Sequence, residues 1–317
     1  MIKIDLQHDL AIMARRMLKE RGFAVDEKWN DYTVCVKLHD IRLRIFDYGI
    51  PYKIVWSDIM LAKREIYSKP SYRAPERQLC LDDIISRLST GKSIEEYLGS
   101  RQRSVSIDKS DFLLKNWGIH HAHLDLIDGK YRGGRKAELL FFHVRGNVAH
   151  LIDVMPHPAG NEWYSSKLIE IEERNWPWLL MPMPNDIRPV VDLPDDKVHE
   201  TLKRCCSVVK VGRKYYFPTT LGDASSGDST DAVRTTDWIF NTLYLNEQKI
   251  KDSEPLLRNE YRKLFGVRLP AQFKVYLIVQ NGKFYVLIKS EHGLPDVNIM
   301  TIPINDLTYY ESELKSA

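Results

Sequence analysis

Apolar positions recur at helical spacing in the first twenty residues. Leu6, Leu10, Met13, Met17 and Leu18 form one stripe, and Gly22 follows as a stop, which predicts a helix over residues 6–21. From Tyr32 the period changes. Residues 32–38 and 41–46 are rich in β-branched side chains and alternate, which predicts two strands joined across His39-Asp40. That alternation places Arg42 and Arg44 on one face, read as solvated, and Ile41, Leu43 and Ile45 on the other. Residues 68–77 are polar, contain two prolines and read as a connection.

Short helices are predicted over 81–88 and 93–98 with Gly91 between them, and Ser93 with Glu96 fits a capping box. Three strands follow, over 119–126, 138–145 and 148–155, the last two joined by the tight-turn pair Gly146-Asn147. A glycine-rich basic loop, residues 128–136, lies between the first two. A helix over 165–174 runs into Pro177, Pro182 and Pro184. Beyond residue 187 the pattern predicts a helix over 196–205, a hairpin over 207–217, a polar loop over 222–230, and helices over 235–245 and 256–265. A last hairpin, 273–279 with 284–289, turns at Asn281-Gly282. The class is α+β, with small antiparallel sheets packed with helices. Four segments are expected: 1–67, 68–112, 113–186 and 187–317.

Composition narrows the setting. A net charge of +3 on 317 residues announces no nucleic-acid binder, so local basic clusters must carry any such reading. None of the four cysteines stands in a C-x-x-C pair, and the adjacent Cys205 and Cys206 are poorly placed for a disulfide. A reducing compartment follows. Asp5, His8 and Asp9 interrupt the first segment, so it does not read as a signal peptide. No stretch approaches the ~20 apolar residues of a membrane span. The expectation is a cytoplasmic chain with no membrane partner.

Six of the ten histidines fall between positions 120 and 157: His120, His121, His123, His143, His150 and His157. Strand parity puts His121 and His123 on one face and His120 on the other, sets His143 with Phe141 and Arg145, and separates His150 from Asp153. Imidazole titrates near neutrality, so paired histidines can give and take protons. Cleavage of RNA by its own 2′-hydroxyl needs a base, a cation at the phosphate and an acid at the leaving oxygen. His121, His123, His143 and His157 are the candidate proton-transfer residues. Arg135, Lys136 and Arg145 are the candidate phosphate contacts.

A metal site is the alternative use, with His121 and His123 joined by Asp153 or His157, although no H-E-x-x-H or cysteine pair accompanies them. A third use is structural, with each histidine satisfying local hydrogen bonds. Gly133-Gly134-Arg135-Lys136 lacks the Walker spacing, and no G-x-S-x-G occurs. Trp176 and Trp178 read as packing residues. No cofactor is implied.

The run Glu138 to Arg145, its short turn, and Val148 to Met155 with His157 resembles the central hairpin of RelE/ParE-type toxins. The resemblance covers about a quarter of the chain. It implies a RelE-like central domain, a small sheet with helices on one side, and RNA cleavage without a metal. By position it implies basic contacts at Arg135 or Lys136, a phosphate contact at Arg145 and a late acid at His157. The chain departs from the pattern in being about three times longer and in carrying three histidines in the preceding strand. The segment Trp117 to Leu124 also resembles one from bacterial proteins and brings no activity with it. The expectation is a metal-independent endoribonuclease of toxin or phage-defence type, with RNA and an antitoxin or other protein as partners. The alternatives are a non-catalytic binding module on the same scaffold and a metal-dependent hydrolase.

Overall fold

The computed structural model describes residues 2–44, 51–67, 75–99, 111–127, 130–131, 138–156, 166–184, 208–220, 224, 228–280, 283–289 and 296–303. In chain order the elements are β1 (Ile2–Lys3), α1 (Leu6–Glu20), α2 (Asp31–Arg44), β2 (Lys53–Trp56), α3 (Asp58–Tyr67), α4 (Pro75–Thr90), α5 (Phe112–Trp117), β3 (Ile119–His123), β4 (Leu126–Ile127), β5 (Lys130–Tyr131), β6 (Glu138–Arg145), β7 (Val148–Pro156), α6 (Ser166–Asn175), β8 (Met181–Pro182), β9 (Val209–Val211), β10 (Lys214–Phe217), α7 (Thr230–Asp252), α8 (Glu254–Phe265), β11 (Phe273–Gln280), β12 (Lys283–Ile288) and β13 (Val297–Pro303). Single 3-10 turns lie at Glu95–Tyr97 and Pro177–Leu179. The class is α+β. The sheets are mixed rather than wholly antiparallel, because β1 with β11 and β2 with β7 run parallel. Among the described residues no helix is long and apolar enough to cross a membrane.

The chain divides into two compact units, residues 1–39 with 232–317, and residues 40–231. The divisions expected at 67, 112 and 186 do not mark it. The cause is non-local pairing: β1 adds to β11, which lies near the other end of the sequence. In that first unit the sheet order is β1-β11-β12-β13. Asp5 caps α1 by accepting from the His8 N–H at 3.0 Å, and Leu6, Leu10, Ala11, Ala14, Met17 and Leu18 form its buried stripe. Asp9 on α1 accepts from the Leu277 N–H of β11 at 3.0 Å. Phe273, Val275, Leu277 and Val279 are buried in strict alternation, as a one-sided strand requires.

The two strands expected over 32–38 and 41–46 are one helix, α2, and residues 45 and 46 fall outside the described residues. Asn30 starts it: its side chain accepts from the Thr33 N–H at 2.8 Å, and its carbonyl accepts from Val34. Every residue from Val34 to Ile41 is buried, so there is no exposed face to give the sequence a 3.6-residue period. Arg42 and Arg44 therefore do not share a sheet face. The stretches expected over 81–88 and 93–98 are also changed. The first is the longer helix α4, which begins at Pro75 inside the expected connection, and the second is only a 3-10 turn. The capping box there does not close. Ser93 Oγ accepts from Glu95 N at 3.1 Å, while the Glu96 carboxylate turns to Arg87 at 2.5 Å.

The second unit is built on a sheet of order β2-β7-β6-β3. Both faces are covered. Leu81, Ile84 and Leu88 of α4, with Met60 of α3 and Tyr97, bury one face against Ala122, Leu140, Phe142, Ala149 and Leu151. Leu113 and Trp117 of α5 and Leu168, Ile169 and Ile171 of α6 bury the other against Ile119, Leu139, Phe141 and Ile152. The small sheet β8-β10-β9 adds Val209, Val211 and Tyr216 to that second core. The expected hairpin over 138–155 is present, turning at Gly146 with φ of 58°. The hairpins over 207–217 and 273–289 also form, and helices α7 and α8 are longer than 235–245 and 256–265. The helix expected over 196–205 and most of the loop over 222–230 lie outside the described residues.

Candidate functional site

The histidine-bearing face of the second unit is set by β3, β6 and β7. Register pairs Ile119 with His143 and His121 with Phe141 across β3 and β6. His121 and His143 are therefore diagonal neighbours on one face, a spacing of about 7–8 Å. Register across β6 and β7 pairs His143 with His150 and Phe141 with Asp153, with one residue inserted between. That β-bulge corrects the parity expectation: His150 and Asp153, opposite faces in a regular strand, both stand across from residues of one face of β6. His120 stays on the other face, stacked on Phe142 with ring centroids 5.3 Å apart.

The surroundings of each histidine differ. His143 is 7 % exposed, and its Nδ1 lies 2.9 Å from Oε1 of Glu172, which is fully buried on α6. Oε2 of Glu172 has no hydrogen-bond partner among the described residues. On its other side, His143 meets the backbone at Gly118, where a Cβ would come within 3.2 Å of Nε2. Gly118 ends α5 with φ of 67°, a conformation that glycine takes without strain. His121 Nδ1 lies 3.4 Å from Oδ2 of Asp111, an ion-pair distance without hydrogen-bond geometry. The other oxygen of Asp111 caps α5 by accepting from Leu114 N at 3.2 Å. His150 Nδ1 approaches the carbonyl of His143 at 3.3 Å, and its ring packs on Trp176 with centroids 5.0 Å apart. His123, half-buried, abuts Gly99, where a Cβ would meet its Nε2 at 3.3 Å.

Burial separates the histidines further. Loss of solvation drives His120 down to about 3, helped by repulsion from His143 and His121, so it is neutral throughout the physiological range. Burial also lowers His150, against the hydrogen bond to the His143 carbonyl. These two are packing histidines.

Of the residues expected to act together, His121, His123 and His143 share one face. Arg145 continues β6 from His143, is exposed, and donates from Nη1 to the Trp178 carbonyl at 2.7 Å. His157, Arg135 and Lys136 lie outside the described residues. Asp153, the third ligand of the metal alternative, is two strands from His121 and pairs with Lys63 at 2.6 Å. Among the described residues no three His, Cys, Asp or Glu side chains group to hold a metal. Trp176 packs as expected, while Trp178 is 63 % exposed. Cys35 and Cys80 are buried and form no disulfide among the described residues, and burial pushes the Cys35 thiol up to about 12.

Glu172 and Asp111 were not anticipated from the sequence. Each left a trace there. Asp111 precedes an apolar run where a helix cap belongs. Glu172 stands four residues after Leu168, an acid on the apolar stripe of its helix. The chain matches no family model, no curated protein and no solved structure.

Proposed function

We propose that the second unit is a metal-independent endoribonuclease in which His121 and His143 exchange the protons. The observation that carries this reading is their placement as diagonal neighbours on one sheet face, each with a carboxylate at its Nδ1. Two imidazoles at that separation supply a base for the 2′-hydroxyl and an acid for the leaving oxygen. His123 and Arg145 flank them, Arg145 as a phosphate contact. His157, Arg135 and Lys136 belong to the same proposal by their place in the sequence. A RelE-like central domain and a toxin or phage-defence setting, with an antitoxin partner, accord with the β6–β7 hairpin at the centre of the sheet. The implied sheet with helices on one side is not what forms, since both faces are covered.

The test is cleavage of RNA by the purified chain in EDTA. His121→Ala and His143→Ala should each remove most of it, by about 10²-fold or more. Undiminished cutting by both variants sinks the assignment.

That covering favours a second reading, a non-catalytic scaffold that binds a protein or nucleic acid. Salt separates the two kinds of partner: binding through phosphate contacts weakens steeply with added salt, and an apolar protein interface does not.

A further inference from the structure

We infer that Glu172 is a positioning residue: it fixes Nδ1 of His143 as the proton-bearing nitrogen and reserves Nε2 for proton exchange with substrate. This rests on the acid–base reading of the site and assigns the atom that acts. The ring has two nitrogens, and the hydrogen bond made by one decides what the other can do. Oε1 of Glu172 stands 2.9 Å from Nδ1. An ionised carboxylate only accepts, so the proton of that contact sits on Nδ1.

The setting of Glu172 strengthens the assignment. It is fully buried on the stripe of α6 that also buries Leu168, Ile169 and Ile171. A carboxylate in such a place is costly unless paired. Its second oxygen has no hydrogen-bond partner among the described residues, and its first is held by His143. A leucine or methionine would fill the helix face without that cost, so stability alone does not account for the acid. The neighbouring histidine does not compete for the ring, because His150 Nδ1 is directed to the His143 backbone carbonyl.

The other nitrogen is left with backbone in front of it. Gly118 presents no side chain, and any Cβ there would crowd Nε2 at 3.2 Å. In the proposed reaction Nε2 takes the proton of the 2′-hydroxyl as O2′ bonds to phosphorus. The phosphorus–O5′ bond breaks, and His121 protonates the departing 5′ oxygen. The products are a 2′,3′-cyclic phosphate and a 5′-hydroxyl. The proton on Nδ1 stays on the ring, held in its hydrogen bond to Glu172, whose charge faces the imidazolium as it forms.

The experiment combines a spectrum with kinetics on the full chain. Nitrogen-15 correlation spectra of histidine-labelled protein, with His143 assigned through His143→Gln, should show the neutral ring protonated at Nδ1. A ring protonated at Nε2 overturns the inference, whatever any variant does. With a single-stranded RNA oligonucleotide in EDTA, Glu172→Gln should lower kcat by about 10²-fold or more with KM within about twofold, and Glu172→Asp should recover part of the loss. A Glu172→Gln variant that keeps kcat within about threefold also overturns it. A wild-type chain that leaves RNA intact overturns the ribonuclease reading, and the spectrum then decides the positioning of His143 by itself.

Discussion

Gly118 and His143 meet with no side chain between them: the ring edge of His143 occupies the space that a Cβ on Gly118 would need, 3.2 Å from Nε2 and 3.3 Å from Cε1. The glycine is required twice over, since its φ of 67° is also left-handed. Gly118→Ala should cost at least about 1–2 kcal/mol from the backbone alone. Urea unfolding measures it. A loss under ~0.5 kcal/mol would show that the α5–β3 junction relaxes freely. By contrast Gly22, also at positive φ, has open space around the missing Cβ and should pay only the backbone part.

His120 should give the second unit an acid-sensitive stability. Its pKa in the fold is lowered by burial to about 3, below the ordinary 6.5. Between those values the unfolded chain binds the proton and the folded chain does not. Stability is therefore intact above about pH 6.5 and falls as pH drops toward 3. Burial lowers His150 in the same sense. His120→Phe, which keeps a ring against Phe142, should flatten the slope. An unchanged slope in that variant, measured by denaturant titration from pH 4 to 7, would remove His120 as its source.

His8 should act with the opposite sign in the first unit. Its hydrogen bond to Asp31, 2.7 Å from Nδ1, raises its pKa, and burial opposes this weakly. The stabilisation is complete below about pH 6.5 and is lost as pH rises through the higher folded value. Both groups are substantially exposed, so solvent screening holds the effect to a fraction of a kcal/mol. Proton NMR titration of His8 reads the raised pKa directly, and Asp31→Asn should return it toward the ordinary value.

Lys63 and Asp153 should respond unequally to removal of the partner. Asp153 is fully buried, whereas Lys63 keeps about a third of its side chain in water. Lys63→Met strands a buried carboxylate and should cost about 3 kcal/mol or more. Asp153→Asn leaves a lysine that can turn to solvent and should cost less. Equal costs in thermal and urea unfolding would mean that Asp153 finds another cation or a proton.

What the sequence revealed followed how each element is solvated. Helix α1 exposes one side and the hairpin β11–β12 alternates, so their periods could be read, while β6–β7, buried on both faces, was legible from its apolar runs and the Gly146-Asn147 turn. Helix α2 hides Val34 through Ile41, and its β-branched residues then imitate strands. The bulge opposite Phe141 has no sequence mark, and it moves Asp153 to the other side of a parity argument. The histidine face was recognisable because histidines are scarce and were close together. Its carboxylates were not, because Glu172 and Asp111 come from two helices that meet the sheet only in three dimensions.

The pairing of Ile2 with Phe273 joins positions about 270 residues apart in the chain. At a synthesis rate of about 5–20 residues per second, the first strand waits on the order of 10–50 s for its partner. The segment from 40 to 231 is continuous, and it can condense during that interval. For the same time the stripe of Leu6, Leu10, Met17 and Leu18 has no strand to cover it. The apolar stripe of α1 thus leaves the ribosome well before the strand that buries it.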